Sequence, residues 1–363
     1  MNTILISTSR FETAIPNYFK YLGEEFRNND FSIIYIFDGQ IKTMPSDDEN
    51  IKYFTYPNRR PTKLKDFIFL CRIMKKEKPL LCISNFGSTN IVTIASYIFR
   101  TPHRINYFHT SPYQLNIDSK KHYIIDWFLK LRKIIILKMN TNLITNSMKM
   151  SELIEQFYKI KKKYIYVLPY LLRQSKENRK NFNDRSYSIC IVGRLALSKG
   201  HKELLYSFSD CKNQHPKLKL FIVGDGPEKK ELEKLAKNLK INKKVIFYGD
   251  IPNKNINKIF SNSLVSISAS RSEAFGIVNI ESLREGTPVL CTETEGSSDV
   301  IQSGKNGLNI NLMKRYDLSK KLDVILKNWE YFSLNALDSF EKNYSHKNIN
   351  KHYKILMDSI NLS

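Results

Sequence analysis

Glycine, arginine, lysine and glutamate gather at a few strand ends in the second half of the 363-residue chain. In IVGRLALSKGHKELL (191–205), Gly193, Arg194 and Lys199 stand between an apolar run and a helix-forming one. A guanidinium and an ammonium five residues apart can both reach a single dianionic group, and a glycine beside them lets the backbone turn tightly. Two solvated cations beside a turn would explain the same three residues. The order is not that of a G-x-x-x-x-G-K-[ST] loop. FIVGDGPEKKELEKLA (221–236) repeats the strand-to-helix pattern with Gly224 at the bend, where a ligand's close approach and an ordinary tight turn are both open readings.

SRSEAFGIVNIESLREGTPVLCTETEGSSDVI (270–301) adds two carboxylates. Glu273 precedes Phe275 and Gly276, and a helix starting there would present the amides of Gly276 and Ile277 to a phosphate. Glu281 follows Glu273 by eight residues, about 12 Å along the same side if the stretch is helical throughout. Acceptors at that separation could hold two hydroxyl-bearing parts of one extended ligand; salt bridging is the plainer role for any glutamate.

The elements that must carry these residues alternate. Short β-rich runs at 3–7, 31–37, 80–84, 104–109, 142–147 and 164–169 are separated by helix-length segments, and a second series follows at 188–193, 219–224, 244–249, 264–269 and 287–292. Such alternation predicts α/β folding with parallel sheets. At roughly 100 to 200 residues per domain the length predicts two domains. We expect an N-terminal Rossmann-like domain over 1–172, an exposed polar linker over 173–186, a C-terminal one over 187–340, and a terminal helix over 341–363 packing back on the first domain. Ligands of open α/β sheets bind beyond the carboxyl ends of strands, so the chemistry is expected there, in a cleft between the domains.

The hydrophobic share of 42% excludes intrinsic disorder, while 58 Lys and Arg against 35 Asp and Glu, a net charge of +23, call for an anionic partner. The surplus divides almost evenly between the halves, so it is not a tail. Five scattered cysteines without a C-x-x-C suggest neither disulfides nor zinc. The amino-terminal run lacks a basic n-region, and no stretch nears the roughly 18 apolar residues of a membrane span. A cytoplasmic protein, soluble or peripheral, is the expectation. Two stretches, 59–76 and 120–138, mix cations with large apolar residues, the second around Trp127 and Phe128. Either could lie in an anionic headgroup layer, or bury its apolar stripe on a sheet. Nucleic acid is the competing partner, but no zinc-finger spacing, RNP-like strand or basic tail supports it, and Glu273 and Glu281 would repel phosphates.

In order and spacing, GRL-x3-KG, GDGPE, E-A-F-G-x4-E, G-T-P-V and G-x2-D-V-I resemble the C-terminal half of retaining glycosyltransferases of family 4, glycosyl transferases group 1. The resemblance covers most of 188–310; over 1–172 it is the strand-helix rhythm plus His109. It implies the GT-B architecture, two Rossmann-like domains with parallel sheets facing a central cleft. By it, Arg194 and Lys199 neutralise the diphosphate of a nucleotide-sugar. Glu273 contacts the transferred sugar, Glu281 the ribose hydroxyls, and His109 reaches the donor sugar. Gly193, Gly224 and the amides near Phe275, Gly276 and Ile277 complete the nucleotide-sugar site. No enzyme nucleophile, cofactor or metal is implied, and the absence of a D-x-D motif argues against a metal-dependent GT-A enzyme. The expected reaction is metal-independent transfer of a hexose or N-acetylhexosamine from a UDP-sugar to a sugar acceptor carried by a glycolipid or polyprenyl group, in cell-surface polysaccharide or lipopolysaccharide biosynthesis, at the inner face of the cytoplasmic membrane. A GT-B nucleotide-sugar epimerase and a transferase with a soluble acceptor are the enzymatic alternatives. Ser7-Thr8-Ser9-Arg10-Phe11-Glu12 departs from the family, whose first loop often has paired glycines, and Arg10 or Glu12 could serve the acceptor instead.

Overall fold

The computed structural model describes residues 1–38, 45–118, 123–211 and 213–361. The chain divides into two compact units: Met1–His109, Lys121–Leu172 and His346–Ser363 form one, Thr110–Lys120 and Arg173–Ser345 the other.

In the first unit, β1 (Asn2–Thr8), β2 (Phe31–Phe37), β3 (Ile51–Thr55), β4 (Leu81–Ser84), β5 (His103–Phe108), β6 (Asn142–Thr145) and β7 (Ile165–Val167) build one sheet in the order β3-β2-β1-β4-β5-β6-β7. Every neighbouring pair is parallel. The crossovers include α1 (Ala14–Asn28), α2 (Leu64–Glu77) and α3 (Thr89–Ile98). Because helices cover both faces of such a sheet, its central strands are apolar runs, and Ile4, Leu5, Ile6, Ile33, Ile34 and Ile36 are all buried. β3 was not expected, since at the sheet edge its IKYFT alternates with only Ile51 buried and lacks a long apolar signature.

α4 (Pro112–Asp118) belongs to the second unit. α5 (Tyr123–Lys138) and α6 (Met148–Tyr158) belong to the first. α5 buries Ile136 and Leu137 but leaves Ile125, Trp127, Phe128, Leu131 and Ile135 exposed, among Lys130, Arg132 and Lys138. The second basic stretch therefore does not bury its whole apolar complement on the sheet; its residues 120–122 lie outside the described ones.

In the second unit the sheet order is β10-β9-β8-β11-β12-β13, again all parallel. Its strands are β8 (Ser186–Val192), β9 (Lys219–Val223), β10 (Val245–Gly249), β11 (Ser263–Ser268), β12 (Val289–Cys291) and β13 (Gly307–Asn309). Its helices include α7 (His201–Cys211), α8 (Lys229–Asn238), α9 (Asn253–Asn262), α10 (Ile277–Arg284), α11 (Ser297–Val300), α12 (Asp317–Lys327) and α13 (Trp329–Asn343). β13, three residues long and mostly non-apolar, also escaped the sequence pattern.

Most of the stretch 173–186 is exposed, with Arg185 as its buried anchor. Arg185 is 7% exposed. Its guanidinium donates to the carbonyls of Lys180, Phe260, Ser263 and Glu285 and to Thr287 Oγ1, and lies 4.7 Å from the Trp329 ring centroid. One arginine thereby satisfies carbonyls at the ends of several elements, which polar composition alone cannot reveal. At the other terminus, α13 runs through residue 341, and α14 (Ile349–Ser359) returns to the first unit beside α1. There Tyr18 Oη and His352 Nδ1 lie 3.0 Å apart and Asn142 donates to the Ser359 carbonyl at 2.7 Å.

Candidate active site

In both sheets the strand order reverses direction of growth beside the first strand, between β1 and β4 and between β8 and β11. Such a switch point splays the loops at the carboxyl edge and opens a crevice. In the second unit the loops after β8 and β11 carry Gly193, Arg194, Lys199, Glu273, Phe275 and Gly276.

The loops after β8 and β9 are joined backbone to backbone. Gly193 N–H donates to Val223 O (2.9 Å), Leu195 N–H to Asp225 O (3.0 Å) and Glu228 N–H to Leu195 O (3.1 Å). Gly224, at φ +128°, permits this: a Cβ there would lie 2.0 Å from the Gly193 carbonyl oxygen. Gly193 differs, because a Cβ on it would meet nothing within 4 Å. Its glycine is thus not demanded by protein packing, as a tight turn would require, and open space lies before it.

Lys199 ends a 3-10 turn (Leu197–Lys199) closed by Gly200, whose backbone abuts the Ala269 carbonyl at the end of β11. The turn is tied to the next loop by Arg271 N–H donating to Ser198 O at 2.7 Å. Lys199 Nζ forms an ion pair with Glu273 Oε2, and their side chains are only 21% and 14% exposed, so solvent screens the pair weakly. Arg194 is exposed and, among the described residues, its guanidinium makes no hydrogen bond or ion pair. A fixed ammonium with a free guanidinium nearby suits an incoming polyanion.

Glu273 lies outside the helix: α10 begins at Ile277, after Gly276 at φ +79°. The two glutamates therefore do not share one helical face, and the 12 Å helical spacing does not apply. What fixes Glu273 is a second carboxylate. Glu295 accepts Glu273 N–H (3.1 Å) and the hydroxyls of Ser272 (3.0 Å) and Ser111 (3.3 Å), while Gly296 N–H donates to Glu273 O (2.8 Å). Glu295 and Ser111 were missed by sequence reasoning. Nothing in E-T-E-G sets Glu295 apart from Glu293, and Ser111 is 161 residues from Ser272.

Asn279 N–H closes the first turn of α10 on Gly276 O at 2.9 Å. The preceding amides of that turn have no partner within the helix, leaving a partly positive end facing the loop of Glu273. Asn279 itself is 1% exposed, with neither side-chain polar atom hydrogen-bonded among the described residues. Phe275 is buried, edge-on to Tyr344 with centroids 6.1 Å apart. Glu281 is partly buried, and its side chain makes no hydrogen bond or ion pair among the described residues. Burial pushes its carboxyl up to about 7, against the opposing pull of Arg284 and with the help of Glu285.

His109 is carried by the other unit, just beyond β5. It packs edge-on to Phe86 at 4.4 Å and near Tyr107 and Tyr170. Burial, then the Lys133 charge, lowers its pKa to about 4, and Nδ1 has no partner among the described residues. It is a neutral imidazole at physiological pH. Among the described residues no three His, Cys, Asp or Glu side chains converge as a metal site, and no helix is long and apolar enough to cross a membrane.

Residues 173–344, which hold all of these site residues except His109 and Ser111, match the family described as glycosyl transferases group 1. The chain carries a glycosyl transferases group 1 domain. The chain is similar to an uncharacterized glycosyltransferase of Methanocaldococcus jannaschii, at 31% identity over 182 residues, covering 48% of this chain and 46% of that protein. It is also similar to alpha-monoglucosyldiacylglycerol synthase of Acholeplasma laidlawii, at 29% over 148 residues, covering 41% and 36%. The chain thus spans less than half the length of these curated relatives. Among solved structures, sucrose-phosphate synthase from Thermosynechococcus elongatus superposes with a TM-score of 0.78 at 16% identity, covering 99% of this chain and all of the other. Anabaena HepE in complex with UDP gives 0.75 at 16% identity over the same coverage. The group 1 domain is the second Rossmann-like unit of a GT-B fold.

Proposed function

We propose that the protein is a retaining glycosyltransferase that moves a hexose or N-acetylhexosamine from a UDP-sugar to a lipid-linked sugar acceptor, working peripherally at the inner face of the cytoplasmic membrane in cell-surface glycan synthesis. The observation that carries the reading is the constellation at the β8/β11 switch point: Lys199 held on Glu273, Arg194 unpaired, and the amino end of α10 beside them. UDP accompanies HepE, and diacylglycerol stands in the name of the Acholeplasma relative. Both support the donor and acceptor classes.

As the sugar C1–O bond breaks, negative charge builds on the diphosphate. Arg194, Lys199 and the first-turn amides of α10 stabilise it where it forms, which lowers the barrier and not merely the dissociation constant. The acceptor hydroxyl forms the new C1–O bond on the face the leaving group vacates, and its proton passes to the departing phosphate oxygen. Glu273 orients the transferred sugar and Glu281 accepts the ribose hydroxyls. His109, neutral, offers one N–H and one lone pair to a sugar hydroxyl. No resident cofactor or metal enters the scheme. The exposed apolar and basic face of α5 supports the membrane assignment.

Thermal stabilisation by UDP-, GDP- and ADP-sugars, followed by product analysis, tests this. A UDP-sugar should stabilise the protein and give a product with the donor's anomeric configuration. Stabilisation by none of the three, or an inverted product, refutes it.

A further inference from the structure

The segment after β3 presents three cations on a rigid loop. Asp66, wholly buried in the first turn of α2, accepts the backbone N–H (2.9 Å) and Nδ2 (3.0 Å) of Asn58 with Oδ1, and the N–H of Lys63 (3.0 Å) with Oδ2. One carboxylate thus clamps both ends of 58–63. Thr62 N–H donates to Arg60 O at 2.8 Å, and Pro61 is buried between them. Arg59, Arg60 and Lys63 point outward, exposed, and no carboxylate pairs with any of them among the described residues.

The arrangement is unfavourable by itself. Three like charges on a short fixed loop repel one another, and the Asp66 carboxylate forms its hydrogen bonds with the Asn58 and Lys63 N–H groups and not with the charged ends of these side chains. A cleft of about 880 Å³ opens beside the loop, lined by Asp38, Asn58, Arg59, Arg60, Thr62 and Lys63. Asp38 is the acid of that lining, with a pKa raised by burial against the hydrogen bond of Ser9, and the three cations outnumber it. Asp38 follows β2 and Asn58 lies just beyond β3, so the cleft sits at the carboxyl edge of the first unit's sheet, where open α/β sheets take ligands. Two guanidinium forks and an ammonium suit the oxygens of phosphate better than those of neutral sugar hydroxyls.

We infer that Arg59, Arg60 and Lys63 form a preorganised site for the phosphate or diphosphate of a lipid-linked ligand, separate from the donor residues Arg194 and Lys199. That this ligand is the acceptor rests on the proposed function; the phosphate chemistry does not.

The test compares wild type, Arg59→Gln/Arg60→Gln, Lys63→Gln and an Arg72→Gln/Lys75→Gln control on the exposed side of α2. The probes are farnesyl diphosphate in the presence of excess UDP, and phosphatidylglycerol vesicles against phosphatidylcholine vesicles. The arginine double variant should bind farnesyl diphosphate, the vesicles or both at least about tenfold more weakly, with unchanged UDP affinity and melting temperature. Loss towards farnesyl diphosphate alone assigns the site to a polyprenyl-linked acceptor, loss towards vesicles alone to bilayer headgroups. If the double variant melts early, Lys63→Gln carries the comparison. Wild-type affinity for both probes, or an equal loss in the α2 control, overturns the inference. Failure of wild type to bind UDP would sink the donor reading and leave this one standing.

Discussion

Lys199 and Glu273 form an ion pair that fastens the loop after β8 to the loop after β11. The pair gives the two residues separable roles. On the proposed function a bound diphosphate would compete with Glu273 for the Lys199 ammonium, and the glutamate would be left to the sugar. Glu273→Gln should therefore cut turnover by at least about a hundredfold, while UDP affinity stays within a few-fold of wild type or tightens. Lys199→Ala should weaken UDP by about 1.5 to 3 kcal/mol, the range for a charge-assisted hydrogen bond. Calorimetric UDP titration beside steady-state kinetics separates the two; equal turnover in Glu273→Gln and wild type refutes the assignment.

Gly193 and Gly224 meet across the same backbone contact yet should respond oppositely to alanine. At Gly224 a Cβ would be driven into the Gly193 carbonyl, at a φ that L residues rarely adopt. Gly224→Ala should lower the melting temperature and cost on the order of 2 kcal/mol or more. At Gly193 the Cβ enters empty space, so the melting temperature should hold, and UDP affinity should fall if the proposed donor approaches through that space. Paired thermal melts and UDP titrations check both, and a stable Gly224→Ala protein would contradict the packing account.

Glu281 should give the proposed nucleotide site a pH dependence. Burial raises its carboxyl to about 7, so it is largely protonated at pH 6 and ionised at pH 8, and only the ionised form accepts two ribose hydroxyls. UDP-glucose affinity should rise across this window, and Glu281→Gln should flatten the rise. UDP-glucose is the right ligand because its diphosphate diester does not titrate there. The stability effect has the opposite sign. A carboxyl whose folded pKa lies above its unfolded value, about 4.3, stabilises the fold fully below the unfolded value, and that contribution is lost as pH rises through 7. A pH-independent wild-type affinity would remove Glu281 from the nucleotide site.

The parts of the candidate site legible in the sequence were those where local spacing does the work. Gly193, Arg194 and Lys199 sit in one short loop, and Glu273, Gly276 and Ile277 in another, each announced by an apolar strand before it. The sheets were legible for the same reason, because buried parallel strands are continuous apolar runs. What escaped depends on distance along the chain. Glu295 acquires meaning only when Ser111 and Ser272 fold around it. Arg185, read as part of a solvated linker, becomes an anchor only once the carbonyls of Phe260, Ser263 and Glu285 converge on it. The edge strands β3 and β13 escaped because an edge is only partly buried and needs no apolar run.

α5 decides whether the basic surplus serves a membrane. Trp127, Phe128, Leu131 and Ile135 are exposed on a helix that also carries Lys130, Arg132 and Lys138. Apolar side chains in water gain about 25 cal/mol for each Å² removed from it, and cations beside them gain about 1 kcal/mol each near an anionic surface. Phe128→Ser/Leu131→Ser should therefore reduce partitioning to phosphatidylglycerol vesicles by at least about tenfold. Added salt should weaken wild-type binding to those vesicles and leave the smaller binding to phosphatidylcholine nearly unchanged. UDP affinity should be untouched, since every proposed nucleotide contact lies in the other unit. Co-sedimentation that is the same for both vesicle types and insensitive to salt would show that the exposed face of α5 is not a bilayer contact, and the +23 charge would then need another anionic partner.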